Sequence, residues 1–463
     1  MNKRLNKELI QLKENGLYPL HMPGHKRNID KGLCGEAEEI SENGSFGSLL
    51  RAAYDIDITE IDGFDNLHDA KDLILDAERR AASLYKSDET HFLVNGSSAG
   101  ILAAISSVCD RGNKIIVARN CHISVFNAIE LNGLEPIYVN PKKLTLNENG
   151  LNLAGSIGVD DIEKAILSNP DAKAIVITSP TYDGVLSDVY GIAKVSHEYD
   201  IPLIVDEAHG ALFYIEGRSA VINKADIVIN SVHKTLPAFT QTALIHLNGN
   251  IIDRDKVKKY LRVFQTSSPS YILMGSIDYA VEIMEEKGNA LYRDFCLRTV
   301  KLKEKLSKLR NLHYISKDEL IRLGIYDFDE SKVLIETSST CLNGKDIYNI
   351  LRQNGFQPEM AAGNYVLLMT TLFDDDEKIE ELSKVLYKID DKVNEYQIDS
   401  IEDEYRDSFI NNISDKVDKV SEKTVFAYPP GIPIVVKGEV ITRLVVDEIE
   451  KAVNNRLDIK IVD

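Results

Sequence analysis

The 463-residue chain has no tryptophan and only five cysteines, Cys34, Cys109, Cys121, Cys296 and Cys341. They are widely spaced, odd in number and form no Cys-x-x-Cys pair, which speaks against a disulfide framework or a zinc site. Reduced thiols are expected. No uncharged apolar stretch reaches the ~18 residues of a membrane span. The N-terminus, MNKRLNKELIQLKENG, is charged and lacks the apolar core of a signal peptide, so a cytoplasmic protein is expected. Positive charge is scarce: 54 Lys and Arg face 73 Asp and Glu, for a net charge of −19. That balance argues against nucleic acid or an anionic membrane as the main partner. Repeats and low-complexity tracts are absent as well. What remains, 44% hydrophobic and 27% charged residues, suits a globular protein with a sizeable buried core.

From Asp88 to about Leu247, short β-branched runs alternate with helix-length segments. The pattern predicts strands at His91–Val94, Lys114–Arg119, Pro136–Asn140, Ala174–Ser179, Leu203–Ala208, Ile227–Val232 and Thr242–Leu247. Helices are expected at Ser98–Cys109, His122–Asn132 and Val189–Tyr199. Runs such as AIVIT and LIVDEA lack polar alternation, as strands covered on both faces do. The alternation predicts an α/β fold with a largely parallel sheet. Ligands in such sheets sit at the carboxyl ends of the strands, so the residues just after each strand are the ones to read for chemistry. Asp253–Phe264 and Tyr271–Glu286 look helical and lead towards a second domain. DDDEKIEE (Asp374–Glu381) reads as a solvated helix start, with acids at the positive helix end. Pro429-Pro430-Gly431 forces an extended, turning backbone.

Lys234 follows the apolar run IVIN, in Ser231-Val232-His233-Lys234-Thr235. Asp206 ends the buried strand LIVD, 28 residues earlier. A buried carboxylate needs a partner, and a protonated pyridine nitrogen would be one. Pyridoxal phosphate requires two protein groups: a lysine to form a Schiff base with its aldehyde, and a carboxylate to keep its ring nitrogen protonated. Asn95-Gly96-Ser97-Ser98-Ala99-Gly100 lies between a strand and a helix, where backbone N–H groups and the hydroxyls of Ser97 and Ser98 can meet a phosphate. The same stretch matches G-x-S-x-G, which leaves an α/β-hydrolase with Ser98 as nucleophile open. His122, His209 and His233 each follow a strand, and His122 is placed to stack on a planar cofactor and assist proton transfer. Ser231 and His233 flank the lysine and are candidate phosphate donors. His21-Met22-Pro23-Gly24-His25-Lys26 has metal-like elements without an evident third ligand, and no metal is expected.

Together these stretches resemble the Orn/Lys/Arg decarboxylase family of pyridoxal-phosphate enzymes. The resemblance runs through LHMPGHKRN, ITEIDGFDNLHDA, FLVNGSSAG, RNCHISVFNAI, SPTYDGV, IVDEAHGALF, NSVHKTLPAFTQTALIH, QTSSPSYILMGSID and AYPPGIPIVVKGE. The length is that of compact bacterial members without an N-terminal wing domain. The resemblance implies the aminotransferase-like fold type I: an arm over residues 1–60, a cofactor-binding large domain over 61–290, and a smaller α+β C-terminal part over 291–463. It implies decarboxylation of arginine, or next lysine or ornithine, feeding polyamine synthesis, in a homodimer or higher homo-oligomer. By position, Lys234 matches the Schiff-base lysine, Asp206 the pyridinium partner and His122 the stacking histidine. Ser97, Ser98, Ser231 and His233 match phosphate contacts, and His209 belongs to the cofactor set. Thr266 and Ser267 sit where the family has a loop near the dimer interface. Glu359, in GFQPEM, is the implied receptor for the substrate's distal charge. Two departures stand out: Leu212, where relatives continue with a second histidine, and Lys86-Ser87, where Gly-Ala is more usual. An aminotransferase of similar fold is the alternative, although no arginine clamp for a substrate carboxylate is evident.

Overall fold

The computed structural model describes residues 4–14, 52–145, 152–396, 416–428, 431–454 and 458–462. The His21–Lys26 stretch, Cys34, Pro429 and Pro430 lie outside them. Seven strands carry the framework, in chain order β1 (Glu89–Leu93), β2 (Lys114–Ala118), β3 (Glu135–Val139), β4 (Ile175–Thr178), β5 (Leu203–Asp206), β6 (Ile227–Asn230) and β7 (Ala243–Leu247). All seven fall on expected strands, with ends shifted by one or two residues. The chain divides into two compact units, Met1–Asp110 with Asp200–Asn289, and Arg111–Tyr199 with Ala290–Asp463.

In the first unit, β5 and β6 run parallel, with Asp206 beside Ile229. β7 lies antiparallel to both β6 and β1. The antiparallel β7 departs from an all-parallel pattern for a local reason. The segment Ser231–Thr242 holds a single helical turn, Val232–Thr235, rather than the full helix that usually makes a parallel crossover. Every residue of β5, β6 and β7 is buried, which explains why they lack polar alternation and why their few polar residues, Asp206, Asn230 and His246, must find partners. The helix Gly96–Val108 lies hard against this sheet: a Cβ on Gly100 would stand 2.6 Å from Leu93 Cδ1 and 3.3 Å from Ile229 Cγ2. Glycine is therefore needed there by packing, and at Gly96 by its φ of +77°. The helix Arg254–Phe264 packs on the same helix, and Asp253 caps it by accepting from Asp255 N and Lys256 N.

In the second unit, β2 pairs in parallel with both β3 and β4. The helices Ile123–Asn132, Val159–Ser168 and Val189–Glu198 connect or follow these strands. Among these seven strands the pairings β2–β3, β2–β4 and β5–β6 are parallel and β1–β7 and β6–β7 antiparallel, and the fold is α/β as expected. The later part of the unit is α+β. The strands β8 (His313–Tyr314), β9 (Lys332–Glu336), β10 (Met360–Ala362) and β11 (Tyr365–Met369) form an antiparallel sheet in the order β8-β9-β11-β10. Leu334, Leu367 and Met360 join one apolar cluster of this sheet, and Ile335, Val366 and Leu368 join another with Leu351 and Leu386. The acidic run behaves as read: Asp375 caps the helix Asp376–Asp391 by accepting from Lys378 N. Strands β12 (Thr424–Tyr428), β13 (Ile432–Val435) and β14 (Asp458–Val462) form a last small sheet. The helix expected at Tyr271–Glu286 runs on to Leu306: Gly288 weakens helix propensity without breaking it, and good helix formers surround it.

Candidate active site

The carboxyl ends of β5 and β6 deliver five of the candidate residues of the first unit. Asp206 is the last residue of β5, 3% exposed, and accepts a hydrogen bond from Ala208 N at 3.1 Å. His209, 6% exposed, follows in the same turn. After β6, Ser231 is buried and opens the turn Val232–Thr235. That turn presents Lys234, whose Nζ lies 3.0 Å from His209 Nε2. Lys234 N–H donates to Ser231 O at 3.3 Å, and Ser231 N–H to Ala208 O at 3.3 Å, so the two turns share backbone bonds. His233 Nδ1–H donates to Thr242 O at 2.8 Å; burial, with Lys234 nearby, holds this imidazole below its usual value. It stays neutral and keeps one ring nitrogen as an acceptor.

The third strand end, after β1, carries the turn at Asn95. The helix starts at Gly96, two residues earlier than expected. Ser97 and Ser98 therefore lie in its first turn, where backbone N–H groups lack helical partners and the helix dipole favours an anion. Flanking side chains fix the entry: Val94 N–H donates to Gln265 Oε1 at 2.8 Å, Gln241 Nε2 donates to Val94 O at 2.6 Å, and Thr266 N–H donates to Asn95 Oδ1 at 3.3 Å. Thr266 and Ser267 are exposed, and Thr266 O accepts from His68 Nε2 at 2.8 Å.

His122 belongs to the second unit. It caps the helix Ile123–Asn132, with Nδ1 accepting from Ser124 N–H at 3.2 Å and lying 2.9 Å from Ser124 Oγ. An accepting Nδ1 places the proton of the neutral ring on Nε2. The turn is fastened by Arg119. Its Nε and one terminal nitrogen donate to the two carboxylate oxygens of Glu439 at 3.1 and 2.9 Å, and the guanidinium also donates to Pro433 O at 2.7 Å and Ile434 O at 3.2 Å. Ile123 N–H donates to Gly431 O at 3.0 Å. In the same unit, Tyr182 OH donates to the exposed Glu359, and Tyr365 OH donates to the buried Asp183 at 2.7 Å.

Two buried hydroxyls in the Lys234 turn, Ser231 Oγ and Thr235 Oγ1, have no hydrogen-bond partner. Orphaned polar atoms are costly in a protein interior unless a ligand satisfies them. They stand beside a lysine and a buried carboxylate, on a strand edge shared with a helix N-terminus. The residues present thus fit a group that carries an aldehyde, a basic ring nitrogen and a phosphate.

The model of the Orn/Lys/Arg decarboxylase major domain matches residues 4–378. The chain belongs to the Orn/Lys/Arg decarboxylase family. Its family members include the YaaO protein of Bacillus subtilis, 33% identical over 99% of this chain and 96% of that one. Another is a protein of the same organism named arginine decarboxylase, 29% identical over 91% of this chain and 88% of that one. Among solved structures, the lysine decarboxylase LdcF of Francisella novicida superposes with a TM-score of 0.80 at 18% identity, over 99% of this chain and 79% of that one, which shows the shared fold. The chain is a pyridoxal-phosphate-dependent decarboxylase of basic amino acids. The aminotransferase and hydrolase readings that the motifs left open are thereby set aside. Ser98 instead sits exposed in a helical first turn.

The two departures from the family pattern have local settings. Lys86 ends the helix Leu73–Tyr85 in a left-handed conformation, φ +61°, a place that favours glycine. Leu212 is buried just before the short helix Phe213–Glu216. Sequence reasoning gave no role to Glu207, Asn230, Arg119 or Glu439. The available signal was polarity beside an apolar run: IVIN ends on Asn230 and LIVDEA carries Asp206 and Glu207, polar groups that burial obliges to pair. Among the described residues, no group of His, Cys, Asp and Glu could hold a metal ion, and no helix is long and apolar enough to cross a membrane.

Proposed function

We propose that the chain decarboxylates L-arginine to the amine and CO₂, with lysine and ornithine as the next candidate substrates, and that Lys234, Asp206 and His122 carry the chemistry. The observation that carries the assignment is the pairing of Lys234 Nζ with His209 Nε2 at 3.0 Å, on a strand edge shared with Asp206. Bound pyridoxal phosphate supplies the electron sink for the bond between Cα and the leaving carboxylate. Lys234 holds the cofactor through Nζ. His209 Nε2, 3.0 Å from that amine, positions it. Asp206 keeps the ring nitrogen protonated, and its burial strengthens that pairing because little water screens it. Ser97, Ser98 and Ser231 bind the phosphate, donating at a helix N-terminus and in the lysine turn, whereas His233, implied as a phosphate contact by the resemblance, has its one N–H committed to Thr242 O and acts by holding the turn.

By the family resemblance, His122 would stack on the cofactor ring and, with Lys234, supply the proton to Cα; its Nε2–H is the donor that the cap at Nδ1 leaves. Support for this role comes from the family resemblance of RNCHISVFNAI and from the fixed tautomer. Glu359, steadied by Tyr182, receives the distal guanidinium or ammonium. The enzyme acts in the cytoplasm as a homodimer or larger homo-oligomer and feeds polyamine synthesis. The arginine assignment is supported by relatives named arginine decarboxylase over nine-tenths of the chain.

The test is product identification from an equimolar mixture of arginine, lysine and ornithine. Agmatine should dominate, with CO₂ released in the absence of any keto acid. Cadaverine or putrescine as the main product would reverse the substrate order. Turnover that requires a keto acid in stoichiometric amount would contradict decarboxylation.

A further inference from the structure

The turns after β5 and β6 are joined by a buried cross-brace that the proposed chemistry does not use. Glu207, one residue past Asp206, is 1% exposed, and Asn230, one residue before Ser231, is wholly buried. Asn230 Nδ2 donates to the Glu207 carbonyl oxygen at 2.8 Å and to Glu207 Oε2 at 3.1 Å. That carbonyl also accepts from Gly210 N at 2.8 Å, closing the turn that bears His209, and Glu207 N–H donates to Ile229 O at 2.9 Å. The carboxyl group is held from the far side by Ala220 N at 2.6 Å and Ser219 Oγ at 3.1 Å.

Behind Asn230 the hydrogen bonds run in one direction. Asn230 Oδ1 accepts from His246 Nε2 at 3.0 Å. With that nitrogen as donor, His246 Nδ1 accepts from Thr90 Oγ1 at 2.8 Å, and Thr90 accepts in turn from Ser87 Oγ at 2.7 Å. Burial, with the nearby His91 charge, keeps His246 neutral, as this chain of donors requires. The brace therefore ties the main chain between Asp206 and His209 to the residue that precedes the Ser231–Lys234 turn, and anchors both to β7 and β1. A network satisfied at every member fixes one geometry, and a half-satisfied one is costly.

We propose that Glu207 and Asn230 are positioning residues: their cross-brace sets the Asp206 and Lys234 turns in the register that the cofactor needs. The inference rests on the assignment of Lys234 and Asp206 above. It predicts that breaking the brace weakens cofactor binding and alters the electrostatics felt at Lys234, beyond any loss of stability.

The test measures three quantities on the full-length protein: the dissociation constant for pyridoxal phosphate, the pH midpoint of the bound cofactor's absorbance change, and the melting temperature without cofactor. The variants are Asn230→Ala, Glu207→Gln, Thr90→Val and Lys234→Ala. Glu207→Gln keeps the side-chain volume but places an amide among donors, and it carries the test if Asn230→Ala does not fold. Brace variants should raise the dissociation constant about tenfold, the scale of one lost buried hydrogen bond, and shift the pH midpoint. Thr90→Val, at the far end, should change both less. Lowered melting temperatures with a dissociation constant and pH midpoint unchanged would overturn the inference and leave a purely structural role. If Lys234→Ala binds and colours like the wild type, the lysine assignment itself has failed, and the positioning role falls with it.

Discussion

In the first unit, the turns that bear Asp206 and Lys234 are joined by neutral, fully buried hydrogen bonds. In the second, the turn that bears His122 is fastened by an ion pair, with the Arg119 and Glu439 side chains 15% and 28% exposed. Burial decides which device is used. Desolvation pushes the Glu207 carboxyl up to about 8 despite three hydrogen-bond donors and a nearby arginine, so at neutral pH the brace holds an uncharged acid. A formal charge there would face a large desolvation cost. Arg119 keeps water and four acceptors, and its guanidinium lies 5.4 Å from the Phe126 ring centroid and 5.6 Å from that of Tyr138. A charged clamp of that kind tolerates solvent. It also reaches across the sequence, since Arg119 and Glu439 are 320 residues apart and Glu439 lies beyond the span matched by the family model.

The largest separation between the two regions should come from truncation. Asn230→Ala removes two bonds to Glu207 and leaves His246 Nε2–H buried without its acceptor, and should destabilise the protein by about 2–4 kcal/mol in urea unfolding. Glu439→Ala removes one partner of a part-exposed pair and should cost roughly 1 kcal/mol at low salt. A larger cost for Glu439→Ala than for Asn230→Ala would reverse the comparison.

Salt should sharpen it. At 1 M NaCl the cost of Glu439→Ala should shrink, because exposed charges are screened over ~3 Å, while that of Asn230→Ala should hold. Equal sensitivity in both variants would mean the brace carries charge.

The smaller effect is a pH dependence. Glu207 has a folded value raised from 4.5 to about 8. Its contribution to stability is complete below the lower value, declines as pH rises and is gone above the upper one. His91 also titrates late, raised to about 9 by Glu78 and Glu89 against the opposing effect of burial, so the wild type alone does not isolate Glu207. The difference between wild type and Glu207→Gln does, and it should fall between pH 5 and 8; a flat difference would place a charge in the brace.

The strands were legible in the sequence because β-branched runs buried on both faces lack regular polar alternation. The candidate lysine, aspartate and serines stood out in the sequence because each lies at or just after the end of such a run. The direction of β7 was not, since it depends on how little helix forms between Ser231 and Thr242. Neither was the extension of the long helix to Leu306, where charged residues on an exposed surface read as a change of region. The brace and the clamp escaped for a different reason. Asn230 looks like a strand terminator and Glu207 like a spare acid beside Asp206, and only the register of β5 against β6 makes them partners. Arg119 stood inside a quoted motif, yet its partner lies in the turn after β13 of the same unit, 320 residues on.

The most direct measurement is borohydride reduction of the cofactor-loaded protein, followed by peptide mass spectrometry. The pyridoxyl label should be found on Lys234 and absent from the Lys234→Ala variant. A label on any other lysine, or none in a protein that turns over arginine, would contradict the account.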